Sequence, residues 1–221
     1  MSYLTLDAGE IVRTIQQLGN RIEERFPGSG LGKVCGQLLE ISQKARERAE
    51  WIARPILAVR IATAVLVVVI VAGLVLMVTR LRPPPGTFEL SQFIQVLEAG
   101  INDVVLVGAA IFFLTTLESR IKRERALRAL RELRSIAHII DMHQLTKDPE
   151  RTHPLKREMS SADLARYLDY CSEMLSLTGK VAALYVQNFE DSVALQAVNE
   201  IEDLTTGLAR KIWQKLTIVV G

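Results

Sequence analysis

Residues 61–79 constrain this chain most, because they form 19 consecutive positions without a charged side chain. The run is rich in Val, Ile, Leu and Ala. A helix rises about 1.5 Å per residue, so a run of this length covers close to the roughly 30 Å hydrocarbon core of a bilayer. A soluble protein can bury such a helix only at the centre of a large core. The segment therefore predicts a transmembrane helix.

A second apolar run covers residues 104–117 and is too short to cross a bilayer by itself. It becomes long enough if its helix begins near Phe93. Apolar residues at the three- and four-residue spacing of one helix face support this start: Leu90, Phe93, Ile94, Leu97, Ile101, Val104 and Val105. We therefore expect a hairpin with spans at about 56–79 and 93–117 and an outer loop at 80–92. The alternative is a single span, with residues 104–117 as a buried core helix.

Basic residues are concentrated before the first apolar run and after the second, whereas the loop between them holds only Arg80 and Arg82. The positive-inside rule then predicts that both termini are cytoplasmic and that the protein lies in the inner (plasma) membrane of a bacterium. Residues 1–50 are polar, so we expect the first span to act as an uncleaved anchor. We expect the basic residues nearest the membrane to contact lipid headgroups: Arg54, Arg60, Arg120, Lys122 and Arg123.

Outside the spans the apolar residues follow helical spacing, and no stretch alternates with period two for long enough to predict a strand. We therefore predict an all-α fold. Residues 1–54 form an N-terminal helical hairpin, residues 55–119 the transmembrane hairpin, and residues 120–221 the C-terminal helices. A wide apolar face around Leu168 and Leu175 is typical of a helix with more than one neighbour. We expect helices from both ends of the chain to pack into one cytoplasmic bundle.

Charge and cysteine usage exclude several classes of function. The formal net charge of +2 gives no basic footprint for nucleic acid, so we expect no nucleic-acid partner. Cys35 and Cys171 lack the paired spacing of a zinc site, and in a reducing compartment we expect two buried thiols. Residues 27–33 are rich in glycine but do not match the phosphate-binding loop pattern.

All three histidines lie between residues 138 and 153. His138 and Asp141 are three apart on a predicted helix, a spacing compatible with a divalent metal or an acid–base pair. His143 and His153 can join them if the following loop folds back. The simpler interpretation is a polar helix end followed by a turn at Asp148, with no cofactor. A third is a loop that binds a protein or lipid partner.

Polar residues form a stripe at the outer end of the second span: Gln95, Glu98, Asn102 and Asp103. Polar side chains within a span usually face another helix, a cavity or water. One interpretation is therefore a pore lining, which requires several copies because two helices cannot enclose a channel. The other places these residues at the depth of the outer headgroups.

In layout the chain is similar to bacterial two-span membrane proteins with helical cytoplasmic arms, some of which assemble as membrane-permeabilising defence effectors. It lacks the GxSxG and HExxH motifs of hydrolases and zinc proteases. We therefore predict a non-enzymatic membrane protein that self-associates in the lipid bilayer and whose cytoplasmic helices form a scaffold for protein partners. The first alternative is an oligomeric ion channel or membrane-disrupting effector lined by the second span. The second is a metal-dependent membrane enzyme that uses the histidine segment.

Overall fold

The computed structural model describes residues 5–80, 90–145 and 159–220, and within these ranges the regular structure is entirely helical. The all-α prediction is therefore confirmed for the described chain. In chain order the helices are α1 (Ala8–Arg25), α2 (Gly30–Ala53), α3 (Leu57–Arg80), α4 (Leu90–Leu145), α5 (Ser161–Leu184) and α6 (Ser192–Val220).

The chain divides into two compact units. The first unit combines Met1–Arg54 with Arg123–Gly221, and the second is Pro55–Lys122. Helix α4 has residues in both units, so a single long helix takes part in each. Since the first unit is assembled from the two ends of the chain, it forms only after both ends have been synthesised.

Short polar side chains begin the helices of the first unit. Asp7 accepts hydrogen bonds from two backbone N–H groups of α1, at 2.7 and 3.2 Å. Ser29 and Ser160 each accept one, at 3.1 Å, from the first turns of α2 and α5. Such caps satisfy N–H groups that have no partner within the helix, and each typically stabilises by about 1 kcal/mol. In the turn before α2, Gly28 has a φ of 66°, a conformation that favours glycine.

One apolar core holds the first unit together, and α1, α2, α5, α6 and the later part of α4 all contribute to it. Burying one such side chain stabilises by about 1.5–3 kcal/mol. Because the apolar residues recur every three or four positions, each helix turns one stripe inward. The largest fully buried side chains are Ile15, Leu18, Ile22, Leu31, Leu38, Ile52, Leu133, Ile140, Leu168, Met174, Leu175 and Tyr185.

Helix α5 is the most buried helix of this core and packs against α1, α2 and α6. On α5, the ring of Tyr167 packs edge-on against the ring of Phe26, with the centroids 5.6 Å apart. On the side facing α6, a Cβ added at Gly179 would lie 3.4 Å from the Oγ1 of Thr205, so the two helices approach closely there. The broad apolar face seen in the sequence thus serves several neighbours at once.

The second unit consists of α3 and the first part of α4, and many of its described apolar side chains are exposed. Val68 and Val104, for example, are 66% and 69% exposed. The chain contains two helices that are long and apolar enough to cross a membrane, and their most apolar stretches are not buried within the protein. Helix α3 extends through Arg80 and α4 begins at Leu90, while residues 81–89 of the expected outer loop lie outside the described ranges.

Leu175 and Leu195 offer a matched test of the core, because they are 0% and 50% exposed. We expect Leu175→Ala to lower the free energy of unfolding by about 2–5 kcal/mol, from lost burial and the remaining cavity. Leu195→Ala should change it by less than about 0.5 kcal/mol, as surface substitutions do. Denaturant unfolding in detergent, followed by circular dichroism, measures both. Similar losses for the two variants would contradict this core.

Candidate functional site

Glu118 is the centre of an ion-pair cluster in the second unit. Its carboxylate lies 2.9 Å from the Nζ of Lys122 and 3.1 Å from the Nε of Arg60. It also accepts a hydrogen bond of 3.2 Å from the backbone N–H of Ile56, which immediately precedes α3. A carboxylate at the N-terminal end of a helix is favoured by the helix dipole. The cluster therefore connects the start of α3 to α4 through ion pairs and a hydrogen bond.

The surroundings of Glu118 keep it ionised. The hydrogen bond from Lys122 lowers the pKa of Glu118 most, and Arg60 and the Ile56 N–H lower it further. Burial raises the pKa, but the net result is a value of about 2. The carboxylate is consequently charged at every physiological pH, so the cluster acts as a permanent link and not as a proton switch.

Arg123 is the first residue in the later segment of the first unit, and its partner is Asp191. The Nε of Arg123 donates to both carboxylate oxygens of Asp191, at 3.0 and 2.8 Å. Asp191 also caps α6, because its Oδ1 accepts the N–H of Ala194 at 3.0 Å. Burial tends to raise the pKa of Asp191, but the hydrogen bonds from Arg123 and the backbone outweigh it and the pKa is lowered. One carboxylate thus fixes both the start of α6 and the position of α4 in the first unit.

The basic residues predicted to contact lipid headgroups fall into two groups. Arg54 and Arg120 have exposed side chains, and Arg60 is also exposed although its guanidinium reaches the Glu118 cluster. Lys122 is largely buried and Arg123 is held by its carboxylate partner. Headgroup contact therefore stays a prediction for all five, with only the first three presenting a large exposed surface.

The two acidic residues of these clusters, Glu118 and Asp191, were not among the predicted site residues. Glu118 and Lys122 are four apart on a helix, a spacing at which opposite charges pair, so that contact was readable from the sequence. The contact of Glu118 with Arg60 spans 58 positions and that of Asp191 with Arg123 spans 68. No local pattern identifies such pairs.

The described residues of the histidine segment are not gathered at one site. His138 is exposed, and the neighbouring Asp141 accepts a hydrogen bond from the Nε2 of Gln144 at 2.5 Å. His143 lies beside α5, with its Nδ1 3.4 Å from the Tyr167 hydroxyl. His153 lies outside the described residues. Within the described ranges no three His, Cys, Asp or Glu side chains are grouped so that they could hold a metal ion, and the metal site stays a prediction.

The polar stripe of the second span is placed on α4. Glu98 and Asn102 are exposed and line a shallow groove together with Ile94 and Ile101. Gln95 and Asp103 belong to the same helix, but their side chains lie outside the described part of the structure. The side chains of Glu98 and Asn102 have no hydrogen bond or ion pair with a described residue. The stripe therefore presents polar groups on an otherwise apolar surface.

Both cysteines are buried and free, as predicted. Burial raises the pKa of Cys35 to about 11 and that of Cys171 to about 12. Because the thiolate is the reactive form, both side chains are poor nucleophiles at neutral pH.

The double role of Asp191 generates a prediction with a matched control, since Asp7 is an exposed cap of the same kind. Asp7→Ala should cost about 0.5–2 kcal/mol, the usual loss for a helix cap. Asp191→Ala should cost more, because it also leaves Arg123 without its carboxylate. Equal losses in urea unfolding would contradict the second role.

The acid limb of stability gives an independent check on the same residue. The folded pKa of Asp191 is lowered, so its contribution is present above the unfolded value of about 3.9 and is lost as the pH falls through the folded value. Asp191→Asn should therefore flatten the loss of stability below about pH 4.

The chain matches no protein-family model, and no curated protein or solved structure shows significant similarity to it.

Proposed function

We propose that this protein is a non-enzymatic integral membrane protein of the inner membrane, with a cytoplasmic helical scaffold. In this proposal the second unit crosses the bilayer as a hairpin, and the first unit binds protein partners in the cytoplasm. The observation that carries it is the contrast between the units. The first has a closed apolar core, whereas the second exposes apolar side chains along both of its helices.

The exposed apolar surface is too large for water. Removing one Val, Leu, Ile or Phe side chain from water stabilises by about 1.5–3 kcal/mol, and soluble monomers rarely expose a patch larger than a few hundred Å². A bilayer covers such helices on all sides. The exposed residues include Leu57, Ile61, Val65, Val68, Val69, Val71, Val75, Leu76, Val104, Val105, Leu106, Phe112 and Phe113.

The Glu118 cluster supports a hairpin with both ends on one side. Ile56, at the start of the first proposed span, donates to Glu118, which directly follows the second. When the start of one span is hydrogen-bonded to the end of the next, the two spans must cross the membrane in opposite directions. The basic residues in the flanking segments then favour the cytoplasm for these ends and for both termini.

Glu98 and Asn102 support self-association. Within a span, polar side chains without a partner are unfavourable, and they commonly pair with another helix. The amide of Asn102 both donates and accepts, so two copies related by a two-fold axis can satisfy each other. We therefore propose this face of α4 as the contact between copies.

A channel is the second candidate, and the exposure of Glu98 is the observation that favours it. In a larger ring of copies the same side chain would face water near the outer mouth. A ring of carboxylates favours cations. The two candidates differ in whether Glu98 lies at a dry contact or beside a conducting path.

Labelling of introduced cysteines tests the topology, because the native thiols are buried and provide little background. We expect Thr87→Cys to react with a membrane-impermeant maleimide in intact cells. The control Gln37→Cys, at an exposed position of α2, should react only after permeabilisation. Labelling of Gln37→Cys in intact cells would overturn the proposed topology.

Cross-linking tests the contact between copies. Asn102→Cys should form a disulfide-linked dimer in oxidised membranes, because this face of α4 meets its counterpart. Val104→Cys is the control, since it is 69% exposed but lies about 200° away around the helix. Equal cross-linking at both positions would contradict a specific face. Cation-selective currents in liposomes that Glu98→Lys weakens would replace the scaffold with the channel.

A further inference from the structure

Trp51 and Arg125 form a stacked pair on the surface of the first unit. The guanidinium carbon of Arg125 lies 3.5 Å from the centroid of the Trp51 ring, which is a close cation–π contact. The indole remains 50% exposed, so stacking covers only one of its faces. A large aromatic side chain held in place and still open to its surroundings is suited to binding something outside the chain.

The position of this pair in the sequence indicates what it meets. Trp51 lies four residues before Pro55, where the second unit begins, and Arg125 lies three residues after Lys122, where it ends. The two segments that flank the proposed spans therefore touch each other at this stack. Trp51 is five residues from the first proposed span, and Arg125 is eight residues, about 12 Å of helix, from the second. The long side chain of Arg125 can extend back toward the headgroup region of the bilayer, where Trp is enriched.

The surrounding charges indicate which part of a lipid binds. Trp51 and Arg54 line an open groove together with Glu47, Glu50 and Arg48. Arg48 is paired with Glu132 at 2.9 Å. Arg54, which lines the same groove, and Arg125, which stacks on the indole, have no carboxylate partner among the described residues. A guanidinium stacked on a ring keeps its N–H edge available, and that edge matches the oxygens of a phosphate.

We propose that Trp51, Arg54 and Arg125 form a binding site for the phosphate of a phospholipid headgroup, with the indole at the depth of the headgroups. The inference rests on the proposed membrane hairpin and adds a specific contact to it. The apolar part of the indole then faces the upper acyl chains, while its N–H and both guanidinium groups remain among polar groups.

Trp213 is the matched control that the chain itself provides. It is the only other tryptophan, it is 60% exposed, and it lies on α6, far in sequence from either proposed span. The variants Trp213→Phe and Trp51→Phe therefore each contain one exposed tryptophan, in two different places. Their fluorescence reports separately on the proposed site and on the remaining surface.

The experiment measures quenching of each variant in vesicles of phosphatidylethanolamine and phosphatidylglycerol that carry a spin label on the headgroup. We expect Trp51 to be quenched at least about twofold more strongly than Trp213, as an interfacial anchor requires. In the Trp213→Phe background, Arg54→Gln together with Arg125→Gln should weaken the quenching of Trp51. Equal quenching of the two tryptophans, or no effect of the arginine substitutions, would overturn the site.

Flotation of the same vesicles after a carbonate wash separates this inference from the proposed function. Variants that float without preferential quenching of Trp51 would contradict the headgroup site alone. Loss of the wild-type protein from the vesicles would contradict the membrane hairpin, and the headgroup site with it.

Discussion

The exposed apolar side chains of α3 and α4 are the constraint from which the other features follow. Val68 and Val104 are largely exposed, and so are many other described apolar side chains of the same two helices. A chain with such helices must place them in lipid or against another protein. In the proposed hairpin, the charged side chains next to these helices are paired with one another. Glu118 satisfies Arg60, Lys122 and the free N–H of Ile56 together, so the end of the apolar pair carries one compact cluster in place of three separate polar groups.

The first unit has to bring together two segments that the entire second unit separates in sequence. Apolar burial supplies most of its stabilisation, but burial has no direction and does not set how one helix is aligned along another. Directional contacts do so at the edges of the core. Asp191 fixes the first turn of α6 while it holds Arg123 of α4, and the edge-on rings of Phe26 and Tyr167 align α1 with α5.

Local periodicity was enough to predict much of this fold. The all-α class, the two long apolar helices and the burial of Leu168 and Leu175 all follow from residues three or four positions apart. The charged clusters of the candidate site were harder to predict from the sequence. Lys122 and Arg123 were interpreted as lipid contacts because they follow an apolar run, yet each is engaged by a carboxylate whose position depends on the tertiary fold. Arg60 and Glu118 are 58 positions apart. Their pairing can be recognised only once the two helices are known to lie side by side.

That same separation has a consequence for biosynthesis. Arg60 leaves the ribosome 58 residues ahead of Glu118. At a synthesis rate of roughly 5–20 residues per second, Glu118 therefore follows Arg60 by about 3–12 s. In the proposed topology, α3 enters the membrane during that interval, with Arg60 solvated by headgroups or held by the insertion machinery. In that topology, Glu118 reaches Arg60 only after the second apolar helix has been inserted as well. The ion pair would then form on a complete hairpin and not on a partly inserted one.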